Sequence, residues 1–249
     1  MSKQDLLNFS FDELKAFCFN NDLPRFRATQ IWRWMYCFGL QSFMEMNNIS
    51  KSTRVFLNEL SLISRPQISE IKESKDGTIK WLIKLKDGSE VETVYIPQED
   101  RGTVCLSSQV GCTLNCSFCH TGTQALVRNL TSGEIIGQLM LVMDHLNDWP
   151  SGKNHRKVTN VVMMGMGEPL LNYDEVSKAI KIMMSDDGIS LSRRRITLST
   201  SGIIPNIDKT GAELGVNLAI SLHAVNDKLR DKLVPINKKY NLKDLINSC

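Results

Sequence analysis

At 249 residues, with 42% hydrophobic and 23% charged side chains, the chain has the makeup of an ordinary globular protein holding one large domain, or a large domain with a small appendage. It contains no run of about 18 apolar residues that could cross a membrane as a helix, and its opening residues, MSKQDLLNFSFDEL, lack the apolar core of a signal peptide, so a cytoplasmic location is expected. Seven cysteines, an odd number, argue against a disulfide framework, and a net charge of +3 permits a nucleic-acid partner without requiring one.

In chain order, Ser10-Phe-Asp-Glu13 reads as a capping box, with Leu14, Phe17 and Cys18 following on one helical face. A second helix is predicted after Pro24, stopping at Gly39, and a third after Ser50. These make a three-helix unit spanning 1–64. Cys18 and Cys37 read as core thiols, and Trp32 and Trp34 as core and rim. Arg25, Arg27, Arg33, Lys51 and Arg54 gather near helix ends, where cations can meet phosphates. A solvated basic face is the competing reading.

From Pro66 the apolar period shortens to two. QISEIKES, TIKWLIKL and EVETVYIP, separated by Asp76-Gly77 and Asp87-Gly88, form a predicted meander of three strands. Glu92 sits in the third of them, where most carboxylates simply face solvent.

A fourth strand, over 103–108, leads into Cys112, Cys116 and Cys119, spaced C-x3-C-x2-C, with Cys105 just upstream. Thiolates suit iron–sulfur clusters and zinc. Structural zinc usually takes four ligands in C-x2-C pairs, and no second such pair is present, which favours a cluster. Beyond the loop a helix is predicted from about Thr131–Ser132 to Leu146. KVTNVVMMG, RRITLST and NLAISLH then read as strands alternating with helices, the signature of parallel βαβ units. Ligands in such folds gather at the carboxyl ends of the strands. There lie Gly165-Met-Gly167-Glu168-Pro169, Ser199, and Ser221-Leu222-His223. Glycines allow close backbone approach, and Glu168 can accept from an ammonium group. Met163, Met164, Met183 and Met184 read as core filler.

The run SSQVGCTLNCSFCHTGTQALVRNLT, with E-x-V-x-I-P before it and G-x-G-E-P after it, resembles the radical S-adenosylmethionine enzymes. Within them it is similar to the bacterial adenine carbon-2 methyltransferases of 23S ribosomal RNA and tRNA and their carbon-8 relatives. The resemblance implies an α/β fold, a partial (β/α) barrel, with about four of six βα units before Cys249, over 65–249 and after the small helical domain. The chain is therefore expected to be C-terminally incomplete. The resemblance further implies one 4Fe-4S cluster on Cys112, Cys116 and Cys119. It implies S-adenosylmethionine, two molecules per turnover, held by Gly167, Glu168, Ser199, Ser221, Leu222 and His223. Glu92 would be the proton acceptor. Cys105 would be the cysteine that resolves a methyl-cysteine adduct by disulfide formation, the methyl-carrying cysteine having no counterpart here. Implied partners are 23S rRNA, tRNA and an electron donor such as flavodoxin or ferredoxin, with the protein a monomer and no membrane involved. The alternatives are carbon-8 methylation and a zinc-stapled RNA-binding module without catalysis.

Overall fold

Helix α1 (Phe11–Asn20) opens on the capping box read from the sequence: Ser10 Oγ accepts from the Glu13 amide, and the Glu13 carboxylate accepts from the Ser10 amide. The computed structural model describes residues 3–152 and 156–249. Helix α2 (Phe26–Tyr36) begins just beyond Pro24, and α3 (Lys51–Leu60) is capped by Ser50. A two-residue parallel ladder, Gln4–Asp5 against Ser61–Leu62, ties the ends of this segment together. Cys18 is buried as expected, whereas Cys37 is only partly so. Among the described residues, three of these five basic side chains have intramolecular partners. Arg27 donates to Gln30, Arg54 to the Met44 carbonyl, and Arg33 lies 3.7 Å from Asp187.

Among the described residues seven strands make one sheet: β1 (Gln67–Glu73), β2 (Ile79–Lys84), β3 (Glu90–Gln98), β4 (Arg101–Cys105), β5 (Asn160–Met163), β6 (Ile196–Thr200) and β7 (Asn217–Ile220). Their spatial order is β7-β6-β5-β4-β3-β2-β1. β1 to β4 run antiparallel and β4 to β7 parallel. The sequence places a three-stranded meander ahead of the parallel series; in the structure β4 belongs to both. Gln98 pairs with Arg101 across Glu99-Asp100, a two-residue hairpin that lacks the glycine that marks the other two turns.

Helix α4 (Ser132–Leu146) explains its own apolar composition. It is buried almost all round through its first three turns. The sheet covers one side, where Thr93 Oγ1 donates to Gln138 Oε1 and Trp81 meets His145 edge-on. The N-terminal segment covers another, where the Gly133 amide donates to Asn8 Oδ1. Helices α5 (Tyr173–Met184), α6 (Ile204–Glu213), α7 (Asp227–Leu233) and α8 (Leu242–Asn247) follow. One hydrophobic core runs through α1, α2, α4, α5 and the sheet. The Trp32 indole donates to Ser185 Oγ at 2.9 Å across it. Met163 and Met183 are fully buried core residues, as read from sequence. Met164 is not: it is 47% exposed, because the strand ends there and turns it outward.

Candidate active site

The cysteine loop grows from the carboxyl end of β4, and its neck is closed by contacts outside it. Leu130 N donates to the Ser108 carbonyl, and Gln109–Val110 pair antiparallel with Arg128–Asn129. The Asn172 amide nitrogen donates to the carbonyls of both Ser108 (2.9 Å) and Leu130 (2.8 Å), one on each side of the neck. Gln109 bridges further, accepting from Glu168 N and donating to Asn129 Oδ1, both at 2.8 Å. Gly111, at φ +78°, turns the chain into the loop with the Ala125 carbonyl directly against it, leaving no room for a Cβ.

Inside the neck, Cys112, Cys116 and Cys119 line one cleft of about 250 Å³ together with Gly167 and Glu168. The far wall comes from the ends of β6 and β7, through Ser199, Ser221 and His223. Gly167, at φ +95°, packs on the Gln109 side chain. Glu168 is 2% exposed. Its carboxylate accepts from Leu170 N (3.1 Å) and Ser201 N (2.8 Å). Burial raises its pKa, and those two amides pull the other way. Burial also pushes the Cys112 and Cys116 thiols up, Cys116 to about 11, and the charges of the neighbouring cysteines and of Glu168 add to the shift. Sulfurs that resist ionisation for this reason are relieved by a positively charged group placed among them. Three cysteine sulfurs of one short loop facing one cleft are a donor set that fits a multi-iron centre held by thiolates. Among the described residues no three His, Cys, Asp or Glu side chains converge as ligands of a single ion do.

The cleft thus gathers the three cysteines, Gly167, Glu168, Ser199, Ser221 and His223. Ser199 Oγ, on β6, and Ser221 Oγ, just past the end of β7, stand 3.5 Å apart. Leu222 contributes its carbonyl to a bond with Arg230 and does not line the cleft. Glu92 also lies outside the lining. It is half exposed on β3 with Lys80 Nζ 2.7 Å away, and its carbonyl accepts from Ser107 Oγ, which in turn accepts from Met166 N. One serine hydroxyl thereby joins Glu92, the root of the cysteine loop and the glycine turn. Cys105 is half-buried at the end of β4, its thiol pushed up to about 11 by burial, against a hydrogen bond with the Met164 backbone. Sequence reasoning missed Met164, Ser201 and Phe118, all of which line the cleft. The Phe118 and His223 rings meet at a tilt of 41° with centroids 4.1 Å apart. A signal was available only for Phe118, an aromatic inside the cysteine motif.

Residues 106–249 match the radical SAM superfamily model, and residues 4–63 match the model described as the ribosomal RNA large subunit methyltransferase N-terminal domain. A protein of Rhodopseudomonas palustris (strain BisB5) named dual-specificity RNA methyltransferase RlmN is 58% identical over 236 residues, covering 90% of this chain and 59% of that protein. The protein of the same name from Zymomonas mobilis is 53% identical, covering 98% of this chain and 64% of that one. The chain thus spans about three fifths of the length of the first of these relatives. The crystal structure of a radical SAM methyltransferase from Sphaerobacter thermophilus superposes with a TM-score of 0.90 at 39% identity, covering 99% of this chain and 71% of that one.

Proposed function

This chain belongs to the radical SAM superfamily, and from that premise we propose that it is the cluster- and cofactor-binding part of an RNA methyltransferase acting on carbon 2 of adenine in 23S rRNA and tRNAs. The observation that carries the reading is the single cleft in which three cysteines of one loop face a glycine turn and a buried carboxylate. An adenine ring carbon is not a nucleophile; when bound, a 4Fe-4S cluster and S-adenosylmethionine supply the one-electron chemistry and the methyl group that its methylation requires.

Within this reading Cys112, Cys116 and Cys119 hold the cluster. Gly167, Glu168, Ser199 and the Ser221–Leu222–His223 segment hold S-adenosylmethionine. Glu168 faces its ammonium group, and Gly167 lets backbone come close. Glu92 takes the ring proton, and Cys105 attacks the sulfur of the methyl-carrying cysteine while it is bonded to the base, so that a disulfide forms as the carbon–sulfur bond breaks and the methylated adenine leaves. Residues 1–64 form an accessory RNA-binding unit on the domain of 65–249. Supporting this are exposed Arg25 and the exposed rings of Phe19 and Phe26 on its surface, since cations meet phosphate and aromatics stack on bases. The electron comes from a flavodoxin- or ferredoxin-type donor, and the protein works as a cytoplasmic monomer. Among the described residues no helix is long and apolar enough to cross a membrane.

Anaerobic reconstitution with iron and sulfide tests the reading. The wild type should turn brown, bind about four irons, and cleave S-adenosylmethionine when reduced, while Cys116→Ala should do none of these. A colourless protein holding one zinc would overturn it. For the regiochemistry, methylated RNA is digested and its nucleosides are separated by chromatography against authentic 2-methyladenosine and 8-methyladenosine, which share one mass; 8-methyladenosine as sole product would replace carbon 2.

A further inference from the structure

Arg230, on α7, is completely buried, which arginine seldom is unless paired. Its bonds end on neutral oxygens. Nε donates to the Leu222 carbonyl at 3.0 Å, Nη1 to Asn237 Oδ1 at 2.8 Å, and Nη2 to the carbonyls of Ser201 (2.7 Å) and Ser221 (3.3 Å). Asp227 and Asp231, on the same helix, are instead engaged by Asn237 Nδ2 at 2.9 and 2.7 Å. A guanidinium withdrawn from water without a carboxylate on it is costly unless other negative charge lies near.

The cleft is where the proposed cluster and its thiolates would place that charge. Ser201 and Ser221, whose carbonyls Arg230 binds, both line the cleft. The cysteine loop reaches the same helix, where Ser117 N donates to the Leu233 carbonyl at 3.1 Å. Burial lowers the Arg230 pKa, so its positive charge stands at a cost that negative charge nearby would offset.

We propose that Arg230 is the fixed counter-charge of the iron–sulfur centre, a positioning residue that joins the Ser201 and Ser221 walls and eases one-electron reduction of the cluster. The inference rests on the cluster reading above. Taking one electron from the external protein donor makes the cluster and its thiolates one unit more negative. A cation held close by in a region of low dielectric stabilises that form and raises the reduction potential.

The test is a redox titration of cluster-loaded, anaerobic protein followed by electron paramagnetic resonance. Arg230→Met should bind its full iron and sulfide yet show a midpoint more negative than wild type, whereas Arg230→Lys should stay near wild type. Asp231→Asn, which removes a competing acid and keeps the oxygen that Asn237 uses, should move the midpoint the opposite way. A purely structural arginine would alter stability and leave these potentials alone. Full clusters with unshifted midpoints in both Arg230→Met and Asp231→Asn overturn the inference; if Arg230→Met does not fold, an unshifted Asp231→Asn does so alone. A wild type that takes up no iron or sulfide overturns the functional reading itself, a distinct result.

Discussion

The Asn172 amide reaches a carbonyl on each side of the cysteine loop. The Ser108 carbonyl keeps a second donor in Leu130 N, so Asn172→Ala orphans chiefly the Leu130 carbonyl. The expected cost is about 1–3 kcal/mol in urea unfolding, with new protease cleavage inside 111–127. Cys105 yields a pH prediction. Burial pushes its thiol up to about 11, so raising the pH is what creates thiolate, and at pH 8 only about a thousandth of it is ionised. Its alkylation by iodoacetamide, followed by peptide mass spectrometry, should be slow at pH 8 and climb steeply towards pH 11. An early plateau near pH 8.5 would contradict the shift. The cysteines and Glu168 were legible in the sequence because residue type and spacing state their chemistry. Asn172, Met164 and Arg230 were not, since each acquires its role from groups that sequence separation hides: Asn172 acts on residues 64 and 42 positions away.

At the scale of elements, the capping box read at Ser10–Glu13 is formed, because a cap needs only its own four residues, and the helix start expected near Thr131 carries a second box, Thr131–Glu134. The hairpin at Glu99–Asp100 escaped notice because its turn carries no glycine or asparagine, and pairing across it follows from the sheet. Turn glycines and caps should also fail differently when mutated. Thr131→Ala removes one helix cap and should cost about 1 kcal/mol, with iron loading intact. Gly111→Ala meets a left-handed backbone, worth about 1–2 kcal/mol, and a carbonyl that cannot retreat. It should lose iron loading even where its circular dichroism stays near wild type. Measuring unfolding midpoint and bound iron on the same samples separates the two.

Across the whole molecule, the helical segment and the sheet share α4. The division between 64 and 65 was read from a change of period, from helical to alternating. What the period could not reveal is that Asn8, Glu13 and Trp32 on one side bind Gly133, Lys178 and Ser185 on the other. Trp32→Ala should therefore cost about 3–5 kcal/mol, and the protein should still unfold in one transition, superimposable by far-UV circular dichroism and fluorescence. Two separate transitions would show that the segments fold independently. The clasp formed by Asn172, Gln109 and the Arg128–Asn129 ladder carries one more implication. Small zinc modules collapse when stripped of metal because the ion is their only brace. Here the mouth is braced from the surrounding framework, so loss of the proposed inorganic core to oxygen would leave behind a vessel of nearly the same shape. Such a vessel would take a new core without first being rebuilt.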